Sequence, residues 1–248
     1  GDGTRTSWYE NGQKQMQGNY IKDKKNGEWV YWHENGQISQ QVNFKNDTGD
    51  GTRTSWYENG QKQMQGNLIK DKRNGEWVYW HENGQISQEG NFKNNAVDGK
   101  FTSWNENGQK FEEAIYKDGK KISHKDYSYF DNGQMSQAMS FKDGKLNGIT
   151  TIWFENGQQK STANAKDDMK HGEFTSWYEN GQIHMQGNAK EDKIDGILTT
   201  WYESGQKQAQ GNVIDGKRDG KWTAWNESGQ KLEEAIFKDD VCTSGDCD

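Results

Sequence analysis

Gly27-Glu28-Trp29-Val30-Tyr31-Trp32-His33-Glu34-Asn35-Gly36-Gln37-Ile38-Ser39-Gln40-Gln41-Val42-Asn43-Phe44-Lys45 places an Asn-Gly pair between two runs rich in aromatic and β-branched residues. That dipeptide in that setting predicts a β-hairpin closed by a type I′ turn, with positive φ at both Asn35 and Gly36. The acid–Asn–Gly–Gln tetrad, or a near copy, recurs with its glycine at Gly12, Gly36, Gly60, Gly84, Gly108, Gly133, Gly157, Gly181, Gly205 and Gly229. Successive glycines are 24 residues apart, except for a 25-residue step from Gly108 to Gly133. A fixed period of this length marks a repeat array in which each unit packs on its neighbours.

A second glycine precedes most tetrad glycines by nine residues, usually after Asn or Asp, as in Asp2-Gly3, Asn26-Gly27, Asp50-Gly51 and Asn74-Gly75. This predicts two turns and two strands per period. The expected fold is therefore all-β: an elongated, single-layer, twisted antiparallel meander of 24-residue hairpin repeats, with about twenty short strands. Glycine punctuation this frequent leaves no room for a helix. Residues 1–120 hold five repeats and residues 121–240 five more, the first of them irregular. Residues 241–248 form a tail that carries the two cysteines, Cys242 and Cys247.

Four residues before the tetrad glycine stands a Trp column: Trp8, Trp32, Trp56, Trp80, Trp104, Trp153, Trp177, Trp201 and Trp225, broken only by Tyr129. Eight residues after the glycine runs a mainly apolar column that includes Tyr20, Phe44, Leu68, Phe92, Tyr116, Phe141, Ala165, Ala189, Val213 and Phe237. With a two-residue turn, each Trp pairs across its hairpin with Gln, Ser or Lys. The opposite sheet face then carries Trp29, Trp77, Phe101, Phe174 and Trp222 against small residues such as Gly66, Gly90 and Ala114. Cross-strand pairs of this kind are the unit of sheet stabilisation. Gln after each tetrad glycine, and an acid before it, are expected to form polar ladders at the hairpin tips.

Composition fits a thin core. Val, Ile, Leu and Phe total 32 of 248 residues, low enough to suggest disorder, but 12 Trp, 10 Tyr and 9 Phe replace them. Both charge signs are spread along the chain with a net charge of −7, which argues against nucleic-acid binding and against attraction to anionic lipid. The sequence has no proline, consistent with an uninterrupted hydrogen-bonded ladder.

The paired Gly27-Glu28-Trp29 and Asn35-Gly36 elements, repeated over residues 1–240, resemble the MORN family (membrane occupation and recognition nexus), in its bacterial second type. The resemblance implies an elongated scaffold for protein contacts. Bacterial proteins of this type are often labelled antitoxin components, which implies, as the alternative, a cytoplasmic binder that masks a partner protein. The sixth unit departs from the pattern: His124 replaces the leading glycine, Tyr129 replaces Trp, and one residue is inserted, so a bulge or kink is expected around residues 117–130. Residues 1–48 and 49–96 differ at six positions only, the mark of a tandem duplication. A unit copied this freely is valued for length or area, and a catalytic centre would rarely survive such even multiplication.

No catalytic, cofactor or metal site is read from the chain. His33, His81, His124, His171 and His184 are expected as exposed strand residues, since His33 and His81 sit on copies too far apart to share a ligand at about 2 Å. Glu112-Glu113 and Glu233-Glu234 are adjacent, so they point to opposite sheet faces and read as solvated charge. Asp47-Thr48-Gly49-Asp50 and Asp167-Asp168 lack the ligand order of a calcium loop. Cys242 and Cys247 have the spacing to close a small disulfide loop, which would place the chain in an oxidising compartment. These readings converge on a non-catalytic, extracellular or cell-surface interaction protein. The Trp column is its candidate contact surface, a protein or a glycan the expected partner, and a second copy, joined head-to-tail through open strand edges, the sharpest version.

Overall fold

The structure, a computed structural model, describes residues 1–247 and is all-β, with 23 strands and no helix among those residues. The chain forms two units, Gly1–His124 and Lys125–Asp248, and strand β11 (Lys120–Tyr129) runs across the boundary between them. Within each unit the successive strands of the hairpins pair antiparallel. In the first, β1 (Gly3–Trp8) pairs with β2 (Lys14–Ile21), β2 with β3 (Lys24–Trp32), and β3 with β4 (Ile38–Lys45).

The tetrad turn is not type I′. Gly12 has φ 83° while Asn11 is not among the positive-φ residues, and Gly12 N–H donates to Tyr9 O at 3.0 Å. Tyr9 N–H in turn donates to Gln13 O at 2.8 Å. Glu10-Asn11 thus form the centre of a type I turn and Gly12 supplies the left-handed residue of a bulge, the longer hairpin solution. Asn11 is held right-handed because its Oδ1 accepts from Gln13 N–H at 3.0 Å. The register beyond the tip is the one a two-residue turn would set, with Ser7 opposite Met16 and Thr6 opposite Gln17. The shift is confined to the tip, where Trp8 faces Lys14 and Trp32 faces Ile38, rather than Gln or Ser.

Type I′ geometry occurs instead in the charged loops. Ile21 pairs with Lys24, leaving Lys22 (φ 53°) and Asp23 (φ 60°) as a two-residue turn, and the same pattern recurs at Asn46-Asp47, Lys70-Asp71 and Asn94-Asn95. The second glycine of each period is therefore not a turn residue either. Between the pairs Gly66–Trp77 and Asn67–Asn74, strand β7 (Lys72–Trp80) carries two extra residues, Gly75 and Glu76, and Gly75 takes φ 74°. This is a bulge inside a continuing strand. At Asn147 and Asp195 the same point divides the strand in two, into Lys145–Leu146 with Gly148–Trp153 and Lys193–Ile194 with Gly196–Trp201; these two divisions and a further strand at Val241–Gly245 make 23 strands in place of the expected twenty or so.

The bulge serves the core. Trp29 and Trp77 are fully buried although the sheet is one layer thick around them, because each ring lies flat over a glycine of the preceding strand. A Cβ placed on Gly18 would fall 2.2 Å from the Trp29 ring, and one on Gly66 would fall 2.2 Å from Trp77. Around Trp29, Tyr20 packs edge-on with ring centroids 5.0 Å apart, Phe44 does the same at 6.2 Å, and Lys25 Nζ covers the ring 4.5 Å from its centroid. Trp29 Nε1–H donates to Asn19 O at 3.2 Å, and Trp77 repeats this to Asn67 O, so the buried indole nitrogens are satisfied beside the bulge. The face bearing Trp29, Trp77 and Phe101 is the core face. The Trp column lies on the other.

Tetrad glycines have a second duty. The Gln13 side chain rests against Gly36 of the next repeat, and a Cβ on Gly60 would lie 2.5 Å from Gln37 Oε1. Gly60→Ala therefore meets a left-handed backbone and also displaces the end of the Gln37 side chain, and should lower unfolding free energy by about 1–2 kcal/mol, read from the shift of a urea transition.

Candidate interaction surface

The Trp column is half-buried along its length, apart from Trp8, which is 59% exposed. Lys14 Nζ lies 5.4 Å from the Trp32 ring centroid and Lys62 Nζ 5.6 Å from that of Trp80, so at these two rungs a cation covers the indole. Between the rungs are shallow depressions at equivalent places in both units. One, of about 360 Å³, is lined by Thr52, Gln65, Asn67, Glu76 and Trp80; the other, also about 360 Å³, by Ile197, Gln210, Asn212, Lys221 and Trp225. The charged position differs in sign between them, while the Trp and the two amides do not.

What positions the Trp backbones is a set of bonds between repeats. Tyr9 Oη–H donates to Trp32 O at 2.7 Å, Tyr57 to Trp80 O at 2.8 Å, Tyr178 to Trp201 O at 2.8 Å and Tyr202 to Trp225 O at 3.0 Å. Burial pushes the Tyr57 phenol above its usual range. His33 and His81 occupy the same rung, and their Nε2 atoms lie 2.9 Å from Trp56 O and Trp104 O. A carbonyl only accepts, so both rings carry the proton on Nε2. These two histidines are thus half-buried members of the ladder and not exposed strand residues.

The hairpin tips form a ladder too, but through asparagine rather than through acid or Gln side chains pairing with their own kind. Asn11 Nδ2–H donates to Glu34 O at 2.8 Å, and Asn35, Asn59 and Asn83 repeat the bond to Glu58, Glu82 and Glu106. On the opposite rim, Lys25 N–H donates to Asp47 Oδ1 at 2.7 Å while Asp47 N–H donates back to Lys25 O at 3.0 Å. Asp71 with Gly49, Asn95 with Arg73, Asp168 with Leu146, Asp192 with Lys170, and Asp240 with Arg218 do the same. Asp47 and Asp168, from the loops that lack a calcium-ligand order, are therefore acceptors for the preceding repeat. Both rims of each unit are stitched laterally, in addition to the strand ladder.

The paired glutamates are not simply solvated. Glu113 bonds Lys110 at 2.6 Å and pairs with Lys100 at 3.2 Å, and these lysines, Lys110 first, hold its carboxyl below the usual range. Glu234 repeats the arrangement with Lys221 and Lys231. Glu112 and His124 bring ligand atoms within 4.8 Å of each other, and Lys121 pairs with that same glutamate. Cys242 and Cys247 form a disulfide with Cα atoms 5.7 Å apart. The residues around them are not a free tail, since β23 (Val241–Gly245) pairs with β22 (Lys231–Lys238). The half-buried tyrosine and histidine ladder does not follow from the spacing of the Trp column, although Tyr9, His33, Tyr57 and His81 alternate directly after its first four members.

No curated protein matches the chain. Among solved structures, the crystal structure of TcdB2-TccC3-Cdc42 is similar over 96% of this chain and 17% of that one, at 9% identity and a TM-score of 0.22. That of TcdB2-TccC3-TEV is similar over 95% and 14%, at 10% identity and a TM-score of 0.21. The chain thus spans less than a fifth of the length of either, and likenesses this slight say nothing about its activity. The family model for the MORN repeat variant matches residues 1–22, 25–46, 49–70, 73–94, 97–118, 170–191, 194–215 and 218–239. Eight matched repeats, each beginning before a Trp rung and ending in a lateral turn, make this chain a member of the MORN repeat variant family.

Proposed function

We propose that the chain is a non-catalytic, exported scaffold that binds protein partners across its Trp face. The carrying observation is the contrast between the faces. Trp29 and Trp77 are consumed by the core, while Trp32, Trp56, Trp80 and Trp104 stay half-buried on backbones fixed by bonds from the preceding repeat. Trp offers large contact area at low entropic cost, and a backbone ordered in advance reduces what binding must spend on ordering. The Cys242–Cys247 bond supports an oxidising compartment. Self-association through strand edges is the sharper form of the same reading.

Two measurements test it. Wild-type protein and a Trp56→Ala/Trp80→Ala/Trp104→Ala variant with unchanged circular dichroism are screened against secreted and surface proteins of the source organism. The reading expects a partner that the variant binds at least tenfold more weakly; equal binding of every partner by both overturns the role of the column. Thiol titration in denaturant, on protein isolated without reductant, should find no reactive thiol. Two thiols overturn export and favour the cytoplasmic alternative.

A further inference from the structure

The core face of the second unit lacks rings that its own repeat pattern supplies elsewhere. Three times a cation covers an aromatic ring that follows it by 19 residues: Lys25 Nζ lies 5.1 Å from the Phe44 centroid, Arg73 Cζ 4.2 Å from Phe92, and Arg218 Cζ 3.8 Å from Phe237. Lys170 stands at the same repeat position, and the residue 19 further on is Ala189. The cation is present and its ring is not. In the preceding repeat Thr150 occupies the place of Trp29, Trp77 and Trp222, and Ala165 the place of Phe44.

These substitutions leave a groove of about 640 Å³ between β14 (Gly148–Trp153) and β17 (Ile183–Lys190), lined mainly by apolar surface and including Thr150, Ala163, Ala165, Lys170, Phe174 and Ala189. The volume falls within the range of small-molecule sites. Thr150 Oγ1 is buried there with no hydrogen-bond partner among the described residues. Where a ring is present, the fold shows what it needs: a small residue beneath it, a cation over it, and an acceptor for an indole N–H, as at Gly18, Lys25 and Asn19 O around Trp29. In the groove, Ala163 lies opposite both Thr150 and Phe174 and leaves room between them, Lys170 supplies a cation, and Thr150 Oγ1 supplies a free polar atom.

We propose that this groove binds a small planar aromatic molecule of one or two fused rings, seated against Ala189 with the Lys170 ammonium facing the ring and Thr150 Oγ1 taking a polar contact. The match is electrostatic as well as steric, since a cation is attracted to the negative face of an aromatic ring. The site lies on the core face, away from the Trp column, and does not depend on the protein-binding reading.

Titration of indole into alanine-methyl-labelled protein tests it by NMR. Saturable shifts of the Ala163, Ala165 and Ala189 methyls are expected. Ala189→Phe should weaken indole binding at least tenfold by restoring the missing ring, and Lys170→Met should weaken it several-fold. Absence of saturable shifts, shifts confined to other alanines, or undiminished binding by Ala189→Phe would overturn the assignment. Should Ala189→Phe fail to fold, Ala165→Phe serves the same purpose, and the wild-type methyl map decides in either case.

Discussion

Trp77→Ala will lower the unfolding free energy by about 3–5 kcal/mol, the range for deleting a buried aromatic ring. Trp77 is 1% exposed and is the common neighbour of Gly66 on one side and Gly90 on the other. Gly66 loses its cover when the ring is removed, whereas Gly90 keeps that of Phe101. Asn67 O also loses the indole N–H that reaches it at 3.2 Å. Urea unfolding followed by far-UV circular dichroism checks the magnitude. Trp80→Ala is the comparison, since that ring is only half-buried and should cost clearly less. Equal losses at the two positions would contradict the assignment of the core to the Trp77 face.

Gly66→Val will cost about 3 kcal/mol, at the upper end for an overpacked core site. The barrier is not backbone conformation, because Gly66 does not have positive φ. It is the Trp77 ring, whose atoms would lie 2.2–2.5 Å from any Cβ at that position. The ring must leave its slot, and its burial against Tyr79 and Phe92 is lost with it. The diagnostic result is non-additivity. In a Trp77→Ala background the same Gly66→Val change should cost far less, since residues in contact couple and the obstructing ring is gone. An additive pair in the urea transition would rule out the ring-on-glycine arrangement.

Much of this architecture is legible in the residues, and what is not has a local cause. The 24-residue period, antiparallel hairpins and the pairing of Trp77 and Phe101 with small residues follow from spacing alone. The turn types do not. Asn11-Gly12 favours type I′ as a dipeptide, but Glu10 and the Asn11 side-chain bond to Gln13 N–H select the longer turn. Lys22-Asp23 is a poor type I′ dipeptide by propensity, yet both residues hold positive φ in a row of like turns. In the equivalent loops, atoms from the next repeat complete the arrangement, as Asp47 does with Lys25. A single repeat read alone cannot show what its neighbour contributes. The same limit applies to His33, whose isolated sequence neighbourhood gives no sign of Trp56 O at 2.9 Å. The groove in the second unit, by contrast, is visible in the columns as Thr150, Ala165 and Ala189 in places that hold rings in other repeats.

The lateral stitching also bears on how such a gene can change. Neighbouring repeats exchange equivalent donors and acceptors: Asn35 reaches forward to Glu58 as Asn83 reaches Glu106, and Asp47 reaches back to Lys25 as Asn95 reaches Arg73. Replication slippage that excises residues 49–96 would join Thr48 to Val97 and leave every dangling group facing an equivalent mate. Copy number is thereby uncoupled from foldability. Selection can lengthen or shorten the array in 48-residue steps without inventing a new junction.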